Sequence, residues 1–338
     1  MIQDAIALLV GDEELTPEQI AEVANEILDG VATHSQIAAF ITALRIRGEK
    51  VEHITAFVKA LRARADHIET PGGVILDTVG TGGDCRGTFN VSTTAAIIAA
   101  AAGVQVAKHG NRAVSSLSGS ADVLARLGVN IEAPLKVVER CLKEIGLCFL
   151  YAPSFHSAMR HVDIPRRELA IRSIFNMAGP LSSPAGATHQ LIGVYAPELT
   201  QTFAEVLREL GTIRALVVHG SDGLDEVTLT SVTQVTELVD GNIDTWTLTP
   251  GDFGLDPVNL EDLLVDSPEM SAEIIQNILA GQKGPCSEMA LANAGAALFV
   301  AGKTASIQDG YALAKETLAE GKAARKLEAL VDLTHSKE

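Results

Sequence analysis

Up to about residue 70, apolar residues recur every three or four positions, the spacing of an amphipathic helix. Thr16-Pro17-Glu18-Gln19 reads as a capping box with proline at the first helical position. Ile20, Val23, Ala24, Ile27 and Leu28 follow on one face, and Gly30 ends the run. A second start at Thr33 or Ser35 leads into Ile37, Phe40, Ile41 and Leu44 and closes at Gly48. A third helix carries Ile54, Phe57, Val58 and Leu61. The pattern predicts a small all-helical domain built from three short helices.

Pro71-Gly72-Gly73 marks the boundary, and beyond it the period changes. Short apolar runs at Val74 to Val79, Val104 to Ala107, Cys148 to Tyr151 and Ala215 to His219 read as strands. Helical stretches alternate with them at Thr93 to Ala102, Ala121 to Leu127, Leu135 to Ile145 and Pro197 to Leu210. This alternation predicts an α/β domain with a mostly parallel central sheet, whose ligands bind at the carboxyl ends of the strands. Thr233 to Leu238 and Ile243 to Leu248 alternate like an antiparallel ribbon, and the chain is helical again from Ser271.

Composition narrows the partners. The 338 residues carry a net charge of −17, from 43 acidic and 26 basic side chains. Such a field repels nucleic acid and anionic membranes at long range, so neither is expected as a partner. The N-terminal MIQDAIALLVGDEEL has no basic n-region, and the Ala95 to Ala102 stretch is too short to span a bilayer. Cys85, Cys141, Cys148 and Cys286 form no CxxC pair, and a cytoplasmic protein with free thiols is expected.

Candidate chemistry clusters after predicted strands. Asp77-Thr78-Val79-Gly80-Thr81-Gly82-Gly83-Asp84 runs into a hydroxyl-rich helix start at Thr88 and Asn90 to Thr93. Glycines let backbone N–H groups approach an anion and a helix N-terminus adds donors, so this is phosphate-cradle chemistry; the alternative is a plain strand–turn–helix. It is not a dinucleotide fingerprint, because the third glycine of that motif falls on Cys85. Lys108-His109-Gly110-Asn111-Arg112, followed by Ser115, Ser116, Ser118 and Ser120, suits a polyanion in a cleft or a solvated basic loop. Asp222-Gly223-Leu224-Asp225-Glu226 offers hard oxygen ligands of the kind Mg²⁺ takes, or is an acidic turn. His156, Arg160, His161 and Pro165-Arg166-Arg167-Glu168 supply guanidinium forks for a carboxylate, or mere surface charge. The histidine spacing does not suit zinc. Gly302-Lys303-Thr304 imitates a Walker-A ending but lacks its upstream glycine, and no GxSxG elbow occurs.

These segments, in this order, resemble the anthranilate phosphoribosyltransferases. The resemblance rests on DTVGTGGDCRGTFNVST, KHGNRAVSSLSGSADVLARLG, FLYAPSFHSAMRH with PRRELAIRSIFNMAGPLSSPA, and HGSDGLDEVTL, and it extends over nearly the whole chain. It implies Mg²⁺-dependent transfer of phosphoribose from phosphoribosyl diphosphate (PRPP) to the amino group of anthranilate, in tryptophan synthesis. It also implies a small helical domain, residues 1–71 with helices near 166–180, hinged to a large α/β domain at 72–165 and 181–338. A homodimer through the helical domain is expected, and association with anthranilate synthase subunits is left open. Carried over by position, Gly80, Thr81, Gly82, Gly83, Asp84, Thr88, Asn90, Val91, Ser92 and Thr93 would wrap PRPP. Lys108, His109, Gly110, Asn111, Arg112, Ala113, Val114, Ser115, Ser116 and Ser120 would complete its contacts. Gly80, Asn111 and Arg166 would place anthranilate; Ser92 would reach one of two Mg²⁺ ions, and Asp225 and Glu226 the other. No general base is expected. Cys85, Ile164-Pro165, Ala170 and Ser231-Val232-Thr233 depart from the common family pattern, and Pro165 and Ala170 bear on the shape around Arg166. Two other readings are a pyrimidine nucleoside phosphorylase-like enzyme and a non-catalytic relative that binds nucleic acid.

Overall fold

The structure, a computed structural model, describes residues 1–82, 86–113 and 117–337. The N-terminal bundle consists of α1 (Ile2–Val10), α2 (Pro17–Leu28), α3 (His34–Arg47) and α4 (Val51–Arg62). Thr16 and Thr33 each accept the N–H of the glutamine three residues on, and both capping boxes close. α1 begins at the start of the chain without a side-chain cap, so the pattern yields three helices where four form.

The α/β part follows as β1 (Ile75–Gly80), α5 (Val91–Ala101), β2 (Gln105–Gly110), α6 (Ser120–Arg126), α7 (Leu135–Ile145), β3 (Leu147–Tyr151) and α8 (Ala152–Phe155). α9 (Asp163–Leu169) and α10 (Ile174–Ala178) then return to the bundle and pack on α3 and α4 respectively. After them come β4 (His189–Gly193), α11 (Glu198–Glu209), β5 (Arg214–Gly220), β6 (Thr233–Val239) and β7 (Asn242–Leu248). The chain closes with α12 (Pro268–Leu279), α13 (Pro285–Val300), α14 (Ile307–Ala319) and α15 (Lys322–Thr334).

One seven-stranded sheet runs β3-β2-β1-β4-β5-β6-β7. β1 to β5 are parallel, and the β6–β7 ribbon adds to β5 antiparallel. β4 escapes the sequence pattern because polar residues open it; buried Gln190 donates Nε2–H to the Pro180 carbonyl at 3.2 Å. Strand alternation divides the core. Leu191, Leu216 and Val218 face α5 and α13, whereas Ile192, Ala215 and Val217 join the bundle core through α11. Alanine and glycine are abundant because these helices cross closely: a Cβ on Gly295 of α13 would lie 2.6 Å from the Tyr311 nitrogen of α14.

The departures near Arg166 are accommodated. Pro165 lies in the first turn of α9, where an N–H has no helical acceptor to lose. Ala170 ends α9 in the left-handed region at φ 50°, the conformation that favours glycine there, and its N–H caps the Arg166 carbonyl at 3.0 Å. Among the described residues, no helix is long and apolar enough to cross a membrane.

Candidate active site

The strand order reverses at β1: its crossover through α5 leads to β2 on one side, and β4 lies on the other. Such a switch point opens a crevice outside the carboxyl ends of the strands. Gly80 and Gly193 are paired there at the ends of β1 and β4.

Three chain-distant segments converge on that crevice. The Gly82 N–H donates to Asp225 Oδ2 at 3.1 Å and the Thr81 hydroxyl reaches the same oxygen at 3.4 Å. The Ser92 N–H, at the N-terminus of α5, donates to Glu226 Oε1 at 3.2 Å. That contact shows the helix end holding an oxyanion, and it sets Glu226 beside the Ser92 hydroxyl. Lys108 Nζ donates to the Thr78 carbonyl at 2.6 Å and to Ser92 Oγ at 3.4 Å. Glycine makes this approach feasible: a Cβ on Gly80 would stand 2.7 Å from Asp225 Oδ2, and one on Gly193 would overlap the Asp225 carbonyl.

Beneath these groups lies a buried pair. Asp77 Oδ1 accepts the His109 N–H at 3.0 Å, and Oδ2 has no partner among the described residues. Burial pushes the Asp77 carboxyl up and the Lys108 ammonium down, and each charge favours the other. Glu226 also supports the Lys108 charge.

The Lys108–Ser120 segment is divided by strand alternation. Lys108 points toward α5, whereas the His109 ring lies on the other face, 5.1 Å from the His156 ring. Asn111 is exposed, and its Oδ1 accepts the Arg112 N–H at 2.7 Å. Arg112 turns to the Tyr151 hydroxyl and Asp122, and Asp122 also accepts the Ala113 N–H. Ser120 Oγ donates to the Asn111 carbonyl at 3.4 Å and sits against Gly110, where no Cβ would fit. Asn90 is fully engaged: Oδ1 accepts the Ser118 and Ser271 hydroxyls and Nδ2 donates to the Ser118 carbonyl. Thr88 forms an isolated bridge with Leu264, while Val91 and Thr93 are buried. Gly83, Asp84 and Cys85, and Val114, Ser115 and Ser116, lie outside the described residues.

Arg166 lies on α9 with its guanidinium 5.8 Å from the Phe175 ring centre. Burial lowers its pKa, and the charge of Asp163 opposes that shift. α10, which carries Phe175, continues to Gly179, against whose backbone the His109 ring sits. Arg166 thus lies on the bundle side, where α9 packs on α3.

Several contributors were not singled out from the sequence. Asn293 of α13 grips Val227 by both its N–H and its carbonyl, at 2.9 and 2.8 Å. The Arg86 guanidinium lies along Gly223. Neither carries a local motif; only the fold brings them to the acidic loop.

Residues present fit Mg²⁺. The donors are hard oxygens, and among the described residues no group of three or more His, Cys, Asp or Glu forms a protein-only metal cage. A metal that keeps waters and shares substrate phosphates needs no such cage.

The buried histidines make stability pH-dependent. Burial holds His156 at about 4 and His109 well below its usual range, so both are neutral at pH 7. The unfolded chain titrates its histidines near 6.5 and takes up protons first, so stability falls as pH drops through the window from about 6.5 to 4. For His156 the loss between pH 7 and pH 5 is about 2 kcal/mol. Asp77 acts in the opposite sense, because its raised pKa costs stability as pH rises. His156→Leu removes one contribution cleanly. Its Tm should fall a few degrees less than the wild type's between pH 7 and pH 5; an identical pH dependence in both proteins would contradict this account.

Comparison with known proteins follows the same division. Residues 3–65 match the glycosyl transferase family, helical bundle domain, and residues 72–324 match the glycosyl transferase family, a/b domain. The chain is 50% identical over 331 residues to an anthranilate phosphoribosyltransferase of Moorella thermoacetica, covering 98% of each. It is 47% identical to that of Acetivibrio thermocellus, covering 99% of this chain and 97% of the relative. The crystal structure of the Thermus thermophilus enzyme superposes with a TM-score of 0.93 at 43% identity, over 98% of this chain and all (100%) of that one. The Saccharomyces cerevisiae enzyme in complex with PRPP and Mg superposes with a TM-score of 0.92 at 30% identity, over 99% and 98% of the two chains.

Proposed function

We infer the reaction from one premise: the chain belongs to the anthranilate phosphoribosyltransferase family. It transfers the phosphoribosyl group of PRPP to the amino group of anthranilate, releasing diphosphate in an Mg²⁺-dependent step of tryptophan biosynthesis. The observation that carries the assignment of residues is the meeting of Gly82, Ser92, Lys108, Asp225 and Glu226 at the switch point.

The turn at Gly80 to Gly82 and the first turn of α5 cradle the diphosphate, and Lys108 balances its charge from below. When bound, Mg²⁺ neutralises the charge that grows on the leaving diphosphate. We assign two ions, one at Ser92 and one at Asp225 and Glu226. Positive charge develops at C1 of the ribose as the C1–O bond breaks, and the anthranilate nitrogen attacks from the opposite face. That nitrogen is already neutral at pH 7, so the work is positioning and leaving-group stabilisation, not general-base catalysis. Arg166 takes the anthranilate carboxylate, Asn111 orients the ring, and Gly80 separates the two substrates. Because α9 packs on the bundle, closure of the bundle onto the sheet delivers Arg166 and excludes water from the cation. Val10 on α1 and Ile46 on α3 are 75% and 79% exposed, and we assign the homodimer contact to this bundle.

Arg166→Ala should raise the KM for anthranilate by about 1.5–3 kcal/mol, roughly 10- to 150-fold, with the KM for PRPP little changed. An unchanged anthranilate KM would remove Arg166 from the site. The reaction itself is tested by the loss of anthranilate fluorescence on mixing with PRPP and Mg²⁺. Loss is expected only with all components present. Phosphate-dependent cleavage of thymidine or uridine, with no such loss, would point to a phosphorylase instead.

A further inference from the structure

The acidic loop contains a third carboxylate, Asp222, to which the transfer reaction gives no role. Its Oδ1 accepts the Leu224 N–H at 3.0 Å. Its Oδ2 accepts the Thr228 hydroxyl at 2.6 Å and also the Thr230 hydroxyl. Thr228 Oγ1 in turn accepts the Thr230 N–H at 3.0 Å. One side chain therefore ties the start of this segment to its end, and Asp225 and Glu226 lie on the arc it closes. The Gly220 N–H to the Leu224 carbonyl and the Ser221 N–H to the Val232 carbonyl, both 2.8 Å, narrow the same neck. Gly220 leaves room for the closure: a Cβ there would run into Asp222 Oδ1 and stand 2.9 Å from Thr228 Cγ2.

We propose that Asp222, closed on Thr228 and Thr230, is the positioning residue that aims Asp225 and Glu226 at metal-bound PRPP. The proposal rests on the reading of Asp225 and Glu226 as Mg²⁺ ligands. Neighbouring carboxylates repel, and an unrestrained loop relaxes by turning them apart. Mg²⁺ tolerates little departure from octahedral geometry, so ligands that must first be gathered bind it weakly. Hydrogen bonds to an ionised acceptor are stronger than neutral ones, and three of them on one carboxylate stiffen the arc. Both Asp222 oxygens accept the loop's own donors, so the side chain acts as a tie within the loop.

The test measures Mn²⁺ binding to the full-length protein with PRPP, by electron paramagnetic resonance, for the wild type, D222A, T230V and D222A/T230V. Loosening the arc that carries the two carboxylates should weaken Mn²⁺ affinity about tenfold in D222A and severalfold in T230V. The double variant should be no weaker than D222A, because both changes break one clamp. The Mg²⁺ concentration for half-maximal velocity should move by the same factors, excess Mg²⁺ should restore kcat, and the anthranilate KM should stay within about twofold. A purely structural role would instead lower Tm without this shift in metal dependence. Folded D222A or T230V with wild-type Mn²⁺ affinity would overturn the proposal, and T230V alone decides it should D222A fail to fold. D225N and E226Q separate the two layers. If they lose Mn²⁺ affinity while D222A and T230V keep it, only the clamp falls; if they too keep it, the metal reading falls as well.

Discussion

Replacing Asp225 and Glu226 together by alanine should lower kcat/KM by on the order of a thousandfold, about 4 kcal/mol of transition-state stabilisation. These are the acidic side chains that the described structure brings to the Gly80–Gly82 turn and to the N-terminus of α5. Without them the metal has lost its protein carboxylates, and the leaving diphosphate departs against its own charge. The fold should survive. The carboxylates accept loop and helix-end N–H groups and Glu226 supports the buried Lys108 charge, so these contacts go with them. Thermal stability without metal should therefore fall modestly, by about 1–3 kcal/mol. Mg²⁺ titration of the fluorescence assay is the measurement; full activity of the double variant at low Mg²⁺ would contradict the metal assignment.

Gly193→Ala should be nearly as damaging although it removes no functional group. The new Cβ would overlap the Asp225 carbonyl, a backbone atom that cannot rotate away as a side chain does. The acidic loop must then shift. Misplacing catalytic groups by an ångström costs on the order of 10²-fold, and that loss in kcat/KM is expected together with a raised Mg²⁺ requirement. Overpacking adds a stability loss of about 1–3 kcal/mol. Gly251→Ala is the control, because its Cβ would meet only Thr249 Oγ1 at 3.6 Å. Wild-type kinetics in Gly193→Ala would mean that the loop is not held where the structure puts it.

Much of this arrangement was legible in the sequence. A capping box and helical spacing gave α2, spacing alone gave α3 and α4, and the apolar runs gave β1, β2, β3 and β5, which lead into the glycine turn, Lys108 and the acidic loop. Patterns fail where the signal is not local. β4 is short and starts with His189 and Gln190, so nothing marked Gly193 as a neighbour of Asp225. Asn293 sits 66 residues from Val227 and shows its purpose only once α13 packs beneath the loop. Adjacent positions also mislead. Lys108 and His109 read as one basic cluster, but a strand turns consecutive side chains to opposite faces, and His109 is buried and neutral against His156. Asn90 carries a role the sequence does not show, because its amide joins Ser118 to Ser271.

The most direct test is a crystal of the protein grown with PRPP and Mn²⁺ and mapped at the manganese absorption edge. The account predicts anomalous peaks between the diphosphate and the oxygens of Ser92, Asp225 and Glu226, with the phosphates over Gly80 to Gly82. Manganese bound to PRPP with no oxygen of Ser92, Asp225 or Glu226 facing it, or PRPP lying away from the β1 and β4 strand ends, would contradict it.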